Sequence, residues 1–80
     1  GFLKTSNETI NKSLKIAKKL NNFALIGELF CIQAMNYRDL LQKLLAIEAC
    51  SQAISVLNKD QDPDTYSIAV ELLAEINSIS

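Results

Sequence analysis

The pattern of apolar and polar positions divides the chain into four stretches with helical periodicity. In the first, over approximately 6–20, apolar residues recur at intervals of four and three residues, which is typical of an amphipathic helix. These apolar positions are Ile10, Leu14 and Ala17. Asn21 and Asn22 are expected to end this helix, because both side chains compete with the helical backbone for hydrogen bonds.

The second stretch, over approximately 23–35, is apolar almost all round. The apolar residues are interrupted mainly by Gly27, Glu28 and Gln33. A helix without a polar face has to lie at the centre of a domain or be covered by a partner. We expect no membrane span here, because a helix needs about 20 residues to cross the hydrocarbon core.

The third stretch, over approximately 37–57, follows Asn36, which resembles an N-cap three residues before Asp39. It carries two apolar stripes, one with Leu40, Leu44, Ile47, Ile54 and Leu57 and one with Leu41, Leu45, Val56, Ala49 and Ala53. Two stripes need two neighbours, so this helix is predicted to be the spine of the domain.

The fourth stretch, over approximately 63–78, begins at a loop. Asp62, Pro63 and Asp64 are predicted to be the N-cap, the first helical residue and an acid matched to the helix dipole. The four stretches together predict an all-α fold, a compact bundle of about four antiparallel helices that forms a single domain over 1–80. Because the first residue is Gly1 rather than Met, we expect these residues to be part of a longer chain.

The composition argues for binding rather than catalysis. The chain has 80 residues, of which 49% are hydrophobic, and it contains no histidine. The commonest general base and the commonest zinc ligand are therefore missing, so we expect no enzyme activity, no cofactor and no metal. A chain of this length buries only about 60–70% of the surface of its unfolded form, which predicts that apolar side chains remain exposed.

The charges are unevenly distributed although the net charge is only −1. Residues 1–22 carry five lysines against one glutamate, a balance of +4, and residues 59–80 carry five acids against one lysine, a balance of −4. We expect these segments to attract each other, within a chain or between neighbouring chains. A nucleic-acid partner is not expected, although the lysine face of the first helix, with Lys12, Lys15 and Lys19, is kept as an alternative.

A second alternative is a small calcium-binding regulatory domain. Four acids resemble positions 1, 3, 5 and 12 of a calcium loop of the EF-hand type: Asp60, Asp62, Asp64 and Glu71. Thr65 stands where that loop needs glycine, and an N-terminus of a helix also favours acids. The capped helix start is therefore the preferred interpretation.

The cysteines, Cys31 and Cys50, lie in apolar surroundings, as expected of reduced thiols in an intracellular and cytoplasmic protein. If helices two and three turn at Asn36, the two cysteines differ in height by about 13 Å. We therefore expect no disulfide between them, because a disulfide joins Cα atoms within about 7 Å.

The sequence thus predicts a non-catalytic interaction or oligomerisation domain that uses apolar faces of helices two and three. The predicted partner is a protein, either another copy of the chain or a helical segment of a different protein. The candidate interaction surface consists of Phe23, Ile26, Phe30, Tyr37, Leu41 and Leu45. Two successive hairpins, with Asn36-Tyr37 at a turn, are also similar to tetratricopeptide proteins, which implies a helical-hairpin adaptor as the alternative; no second copy appears at their 34-residue period.

Overall fold

Helices account for most of the chain. A computed structural model describes the backbone of residues 2–79 and the side chains of residues 7–79. Within that part there are four helices and no strand: α1 (Phe2–Lys19), α2 (Phe23–Asp39), α3 (Lys43–Val56) and α4 (Pro63–Asn77). The predicted all-α bundle is therefore confirmed. The Cα atoms span 35 × 27 × 15 Å, a thickness that fits two layers of helices with axes about 8–10 Å apart.

The central helix is α2, which contacts each of the other three helices. α3 and α4 also contact each other, whereas α1 has no Cα within 8 Å of α3 or α4 over the residues that the structure describes. α1 is therefore an edge helix, held on one side only.

The second break of the chain lies at residues 40–42, not at Asn36. Asn36 and Tyr37 are inside α2, so the turn expected there, on which the likeness to a tetratricopeptide hairpin was based, is wrong. The Asn36 side chain is buried and its Nδ2 donates to Oδ1 of Asn7 at 3.0 Å. This hydrogen bond to a side chain of another helix gives the amide of Asn36 a partner inside the bundle, so α2 continues through this position.

The turns that end α1 and α2 have the same geometry. In each, three consecutive backbone N–H groups donate to carbonyl oxygens four, three and five residues earlier, at 2.8–3.1 Å. In each, the middle residue is left-handed, Asn21 with φ 52° and Leu41 with φ 61°. These bonds satisfy carbonyls that a helix C-terminus otherwise leaves unpaired.

The contact between α1 and α2 has an apolar part and a polar part. The predicted core positions of α1 are confirmed as buried: Ile10, Leu14 and Ala17. Toward the start of α1, Gln33 donates from Nε2 to Oδ1 of Asn11 at 2.8 Å, next to the pair formed by Asn36 and Asn7. These amide pairs fix the register of α1 on α2, since a shift along the helix would leave buried amides unpaired.

Small side chains make the contact between α2 and α3. The buried small residues are Gly27, Cys31 and Ala34 on α2 and Ala46, Ala49, Cys50 and Ala53 on α3. A Cβ atom added to Gly27 would collide with the side chain of Leu57, which closes the end of α3 over α2. Of the predicted stripes on α3, the small residues and Leu57 are therefore in the core, while Leu44 and Leu45 are not.

The start of α4 agrees with the sequence. Asp62 is the N-cap, Pro63 the first residue and Asp64 an acid in the first turn. The Asp62 side chain makes no capping hydrogen bond. The preceding loop is held by Asn58, whose Oδ1 accepts from the backbone N–H of Asp60 at 2.8 Å and of Gln61 at 3.0 Å.

Cys31 and Cys50 lie at similar heights, because the turn is centred on Leu41, about ten and nine residues from them. The height difference of about 13 Å expected from a turn at Asn36 is therefore wrong. Both cysteines are buried and free. Burial raises the pKa of Cys31 to about 11, with smaller contributions from Cys50 and Glu28. Burial also raises the pKa of Cys50, against the opposing effect of Arg38.

Replacement of the glycine tests the contact between α2 and α3. We expect Gly27→Ala to lower the free energy of unfolding by about 1–3 kcal/mol, because the added methyl group overpacks against Leu57. In a Leu57→Ala background the same substitution should instead stabilise by up to about 1 kcal/mol, through helix propensity. Urea denaturation of the four chains measures both effects. Equal effects in the two backgrounds would contradict this packing.

Titration of the buried thiol gives a dependence of stability on pH. The pKa of Cys31 is raised from 9.0 to about 11, so the unfolded chain loses this proton first. The contribution of the un-ionised thiol is complete below pH 9 and is lost as the pH rises through about 11. Urea denaturation between these pH values, under reducing conditions, should show a steeper loss of stability for the wild type than for Cys31→Ala. Parallel losses would mean that the thiol ionises as freely in the folded chain.

Candidate interaction surface

Four leucines are exposed where α2 passes into α3. This surface, here called the leucine tip, consists of Leu40, Leu41, Leu44 and Leu45. Leu41 is 90% exposed and Leu44 is 82% exposed. Single exposed leucines are common on soluble proteins, but a cluster of four at one end of a small domain is typical of an interaction surface.

Leu41 also carries a backbone cost. Its φ of 61° is left-handed, a conformation that costs a side chain such as leucine about 1–2 kcal/mol. The equivalent residue of the first turn is Asn21, a residue type that tolerates this region. The turn itself therefore does not favour leucine at position 41, and the exposed side chain gains nothing from the core.

Cationic side chains stand beside the leucine tip. A hollow of about 270 Å³ is lined by Arg38, Leu41, Lys43, Ile76 and Ile79. Lys43 donates from Nζ to the carbonyl oxygen of Ile79 at 2.6 Å, and Arg38 pairs with Glu75 at 3.2 Å. The end of α4 thus forms one wall of an apolar recess next to the leucines.

The structure separates the six residues predicted from the sequence. Leu41 and Leu45 lie together in the leucine tip. Tyr37 is partly buried and lines a second hollow, of about 430 Å³, with Asn7, Glu8, Asn11, Leu40 and Gln42. Phe23 is exposed at the opposite end of α2, about 24 Å along the helix from its last residue, Asp39.

The remaining two predicted residues belong to the core. Ile26 and Phe30 are buried in the cluster that joins α1 and α2 to Ala53, Leu57 and Ala69. They stabilise the fold and keep only 3% and 7% of their surface exposed.

Leu40 and Leu44 are part of the surface, although the sequence places them in an apolar stripe expected to pack against a neighbouring element. The available signal was the spacing of Ala46, Ala49, Cys50 and Ala53. Small residues at intervals of three and four allow two helices to approach closely, and the bulky positions then point elsewhere.

Two of the four acids that resemble a calcium loop lie at the start of a helix. Asp62 is the N-cap of α4 and Asp64 lies in its first turn. Residues 2–79 contain no group of three or more Cys, Asp or Glu side chains that could hold a metal ion. Over the same residues, no helix is both long and apolar enough to traverse a bilayer.

The lysine face of α1 is exposed, as predicted from the sequence. Lys12, Lys15 and Lys19 are solvent-accessible, and Ile16 among them is 61% exposed. Lys18 lies to one side, with Nζ 5.7 Å from the ring centroid of Phe30. An isoleucine between lysines favours contact with a protein surface over contact with phosphates, which apolar side chains do not bind.

Comparison of the chain with protein-family profiles, with curated proteins and with solved structures finds no match. Function is therefore inferred from the residues themselves. The leucine tip is the most distinctive of them, because it combines exposure with an unfavourable backbone conformation.

Proposed function

We propose that the chain is a non-catalytic protein-interaction domain whose main binding surface is the leucine tip. The observation that carries this proposal is Leu41, which is 90% exposed on a left-handed backbone. Leucine at this position stabilises neither the turn nor the core. A partner that buries the side chain would gain the free energy of apolar burial.

Magnitudes favour a partner of moderate affinity. The exposed fractions of the four leucines amount to about 2.5 side chains, and their full burial contributes about 4–8 kcal/mol. Association costs about 4–15 kcal/mol in lost translational and rotational freedom. The leucines alone therefore leave a surplus of at most about 4 kcal/mol. A micromolar dissociation constant, about 8 kcal/mol, also requires the apolar surface that the partner itself buries and polar contacts at the rim of the tip.

An amphipathic helix suits this surface. The recess between Leu41 and Ile79 can accept one apolar side chain, while Arg38 and Lys43 lie beside it. A helix with apolar residues at intervals of three and four and acidic residues at its sides complements this arrangement.

A second candidate is a helical-hairpin adaptor of the kind found in tetratricopeptide proteins. The two equivalent turns at Asn21 and Leu41 favour it, because they make α1–α2 and α2–α3 similar hairpins. The ligand of such an adaptor would occupy a hollow between helices. The hollow beside Tyr37, with amide side chains from Asn7 and Asn11, is the place where we would expect it.

Selection of ligands tests the proposal. From a displayed library of amphipathic helical peptides of about 16 residues, we expect binders with micromolar affinity. Leu41→Asn combined with Leu44→Gln should weaken these binders at least about tenfold, since 1.4 kcal/mol of lost burial is sufficient for that. Fluorescence anisotropy measures the affinities.

The variants also separate binding from folding. Leu41→Asn should leave the free energy of unfolding equal or raise it by up to about 1 kcal/mol, because asparagine accepts the left-handed backbone. The matched control is Ile32→Gln, an exposed apolar position on α2 about 12 Å from Leu40 along the helix. It should change affinity less than about twofold. Peptides that no longer bind the Tyr37→Ala variant but still bind the Leu41→Asn variant would favour the adaptor. A library that yields no binding peptide would refute both candidate functions.

A further inference from the structure

Two exposed helix faces carry the same pattern with opposite charge. On α1, the basic edge consists of Lys12, Ile16 and Lys19. On α4, the acidic edge consists of Asp64, Ile68 and Glu71. Both follow the order charge, isoleucine, charge at positions i, i+4 and i+7, so each set lies along one face of its helix.

Both edges are free to bind. Ile16 is 61% exposed and Ile68 is 46% exposed. Among the side chains of residues 7–79, the recorded ion pairs join Arg38 to Asp39 and Glu75, and none involves either edge. Each edge therefore exposes an unpaired charge on both sides of an uncovered isoleucine.

We propose that the basic edge of one copy of the chain packs against the acidic edge of a second copy. Whether the two helices run parallel or antiparallel, the isoleucines meet at the centre and each lysine faces a carboxylate. The match depends little on direction, because one charge lies four residues before the isoleucine and the other three residues after it, about 6 Å and about 4.5 Å along the helix.

The edges do not pair within one copy, since no ion pair joins them among the side chains of residues 7–79. α1 is an edge helix and has no Cα within 8 Å of α4 in the described part of the chain. The contact therefore has to form between copies. Two copies that exchange both contacts about a two-fold axis form a closed dimer, whereas a copy that uses one edge at a time builds open chains or closed rings.

Uptake of an additional apolar side chain can extend the contact. Leu20 follows Lys19 directly and is exposed. Beside Glu71 lies a hollow of about 290 Å³ lined by Lys59, Tyr66, Ser67, Val70 and Glu71. Its apolar walls can receive a leucine from the neighbouring copy, so the pairing of edges need not depend on isoleucine alone.

The contact should be weak and dependent on salt. Exposed ion pairs contribute only about 0–1 kcal/mol each, and one pair of helices buries less than the roughly 1,200 Å² of a stable interface. Salt screens such pairs over about 10 Å at 0.1 M and about 3 Å at 1 M. We expect a dissociation constant of about 100 µM for this contact at low salt, and one at least about fivefold higher at high salt.

This inference goes beyond the proposed function, because it concerns a different surface and a different partner. The leucine tip and the two edges share no residue. A chain with Leu41→Asn and Leu44→Gln should therefore lose its peptide ligands but keep the association between copies.

Complementary charge reversals test the pairing. Sedimentation velocity at about 200 µM protein and about 20 mM salt should show oligomers of the wild type that dissociate at about 500 mM salt. One variant carries Lys12→Glu and Lys19→Glu, and the other Asp64→Lys and Glu71→Lys. Each should be monomeric alone, because like charges then face each other, while an equimolar mixture should associate again. Circular dichroism verifies that both variants fold. If the variant with both substitutions on α4 does not fold, Glu71→Lys alone replaces it in the experiment.

Other outcomes would overturn the pairing. A wild type that remains monomeric at low salt would do so, as would association that persists in both separate variants. Binding of the lysine face to vesicles with about 30% phosphatidylserine, without any association between copies, would instead assign the basic edge to a membrane surface. A mixture that stays monomeric although each variant is folded would show that the edges do not meet.

Discussion

The close contact between α2 and α3 depends on small side chains, above all on Gly27, whose missing Cβ leaves room for Leu57. Interiors are packed as densely as organic crystals, so helices that approach this closely exclude bulky residues from their contact. The alanines and Cys50 of α3 take those positions, and Leu44 and Leu45 are left on the outside. The close contact between α2 and α3 thus determines both which residues form the core and which leucines are exposed.

Sequence reasoning was accurate where a local signal decided the structure. α4 has Pro63 at its first residue and was predicted close to its observed bounds. The apolar face and the end of α1 were also predicted, whereas α1 begins at Phe2, four residues before the predicted start. The second break was misplaced because Asn36 resembles a cap, whereas its amide is satisfied by Asn7 from a distant part of the chain. No local rule predicts a helix end at Leu41.

The candidate surface was predicted in part for the same reason. Apolar excess in a short chain correctly indicated exposed side chains, and Leu41 and Leu45 are among them. A helix that is apolar all round, however, does not reveal which side faces the core, and Ile26 and Phe30 proved to be buried. Which face of α3 is inside follows from the size of the residues and not from their hydrophobicity. The opposite charges of the two ends, by contrast, could be read directly from the sequence, and the arrangement of helices keeps those ends apart.

Solvent access to methyl groups tests this account most directly. In a dilute sample of the methyl-labelled chain, NMR relaxation by a soluble paramagnetic probe reports which methyls meet solvent. The account predicts strong relaxation of the Leu41 and Leu44 methyls and protection of those of Ala46, Ala49 and Ala53. Protected methyls at Leu41 and Leu44, with exposed alanines, would mean that α3 turns its leucines inward, and the central claim would be contradicted.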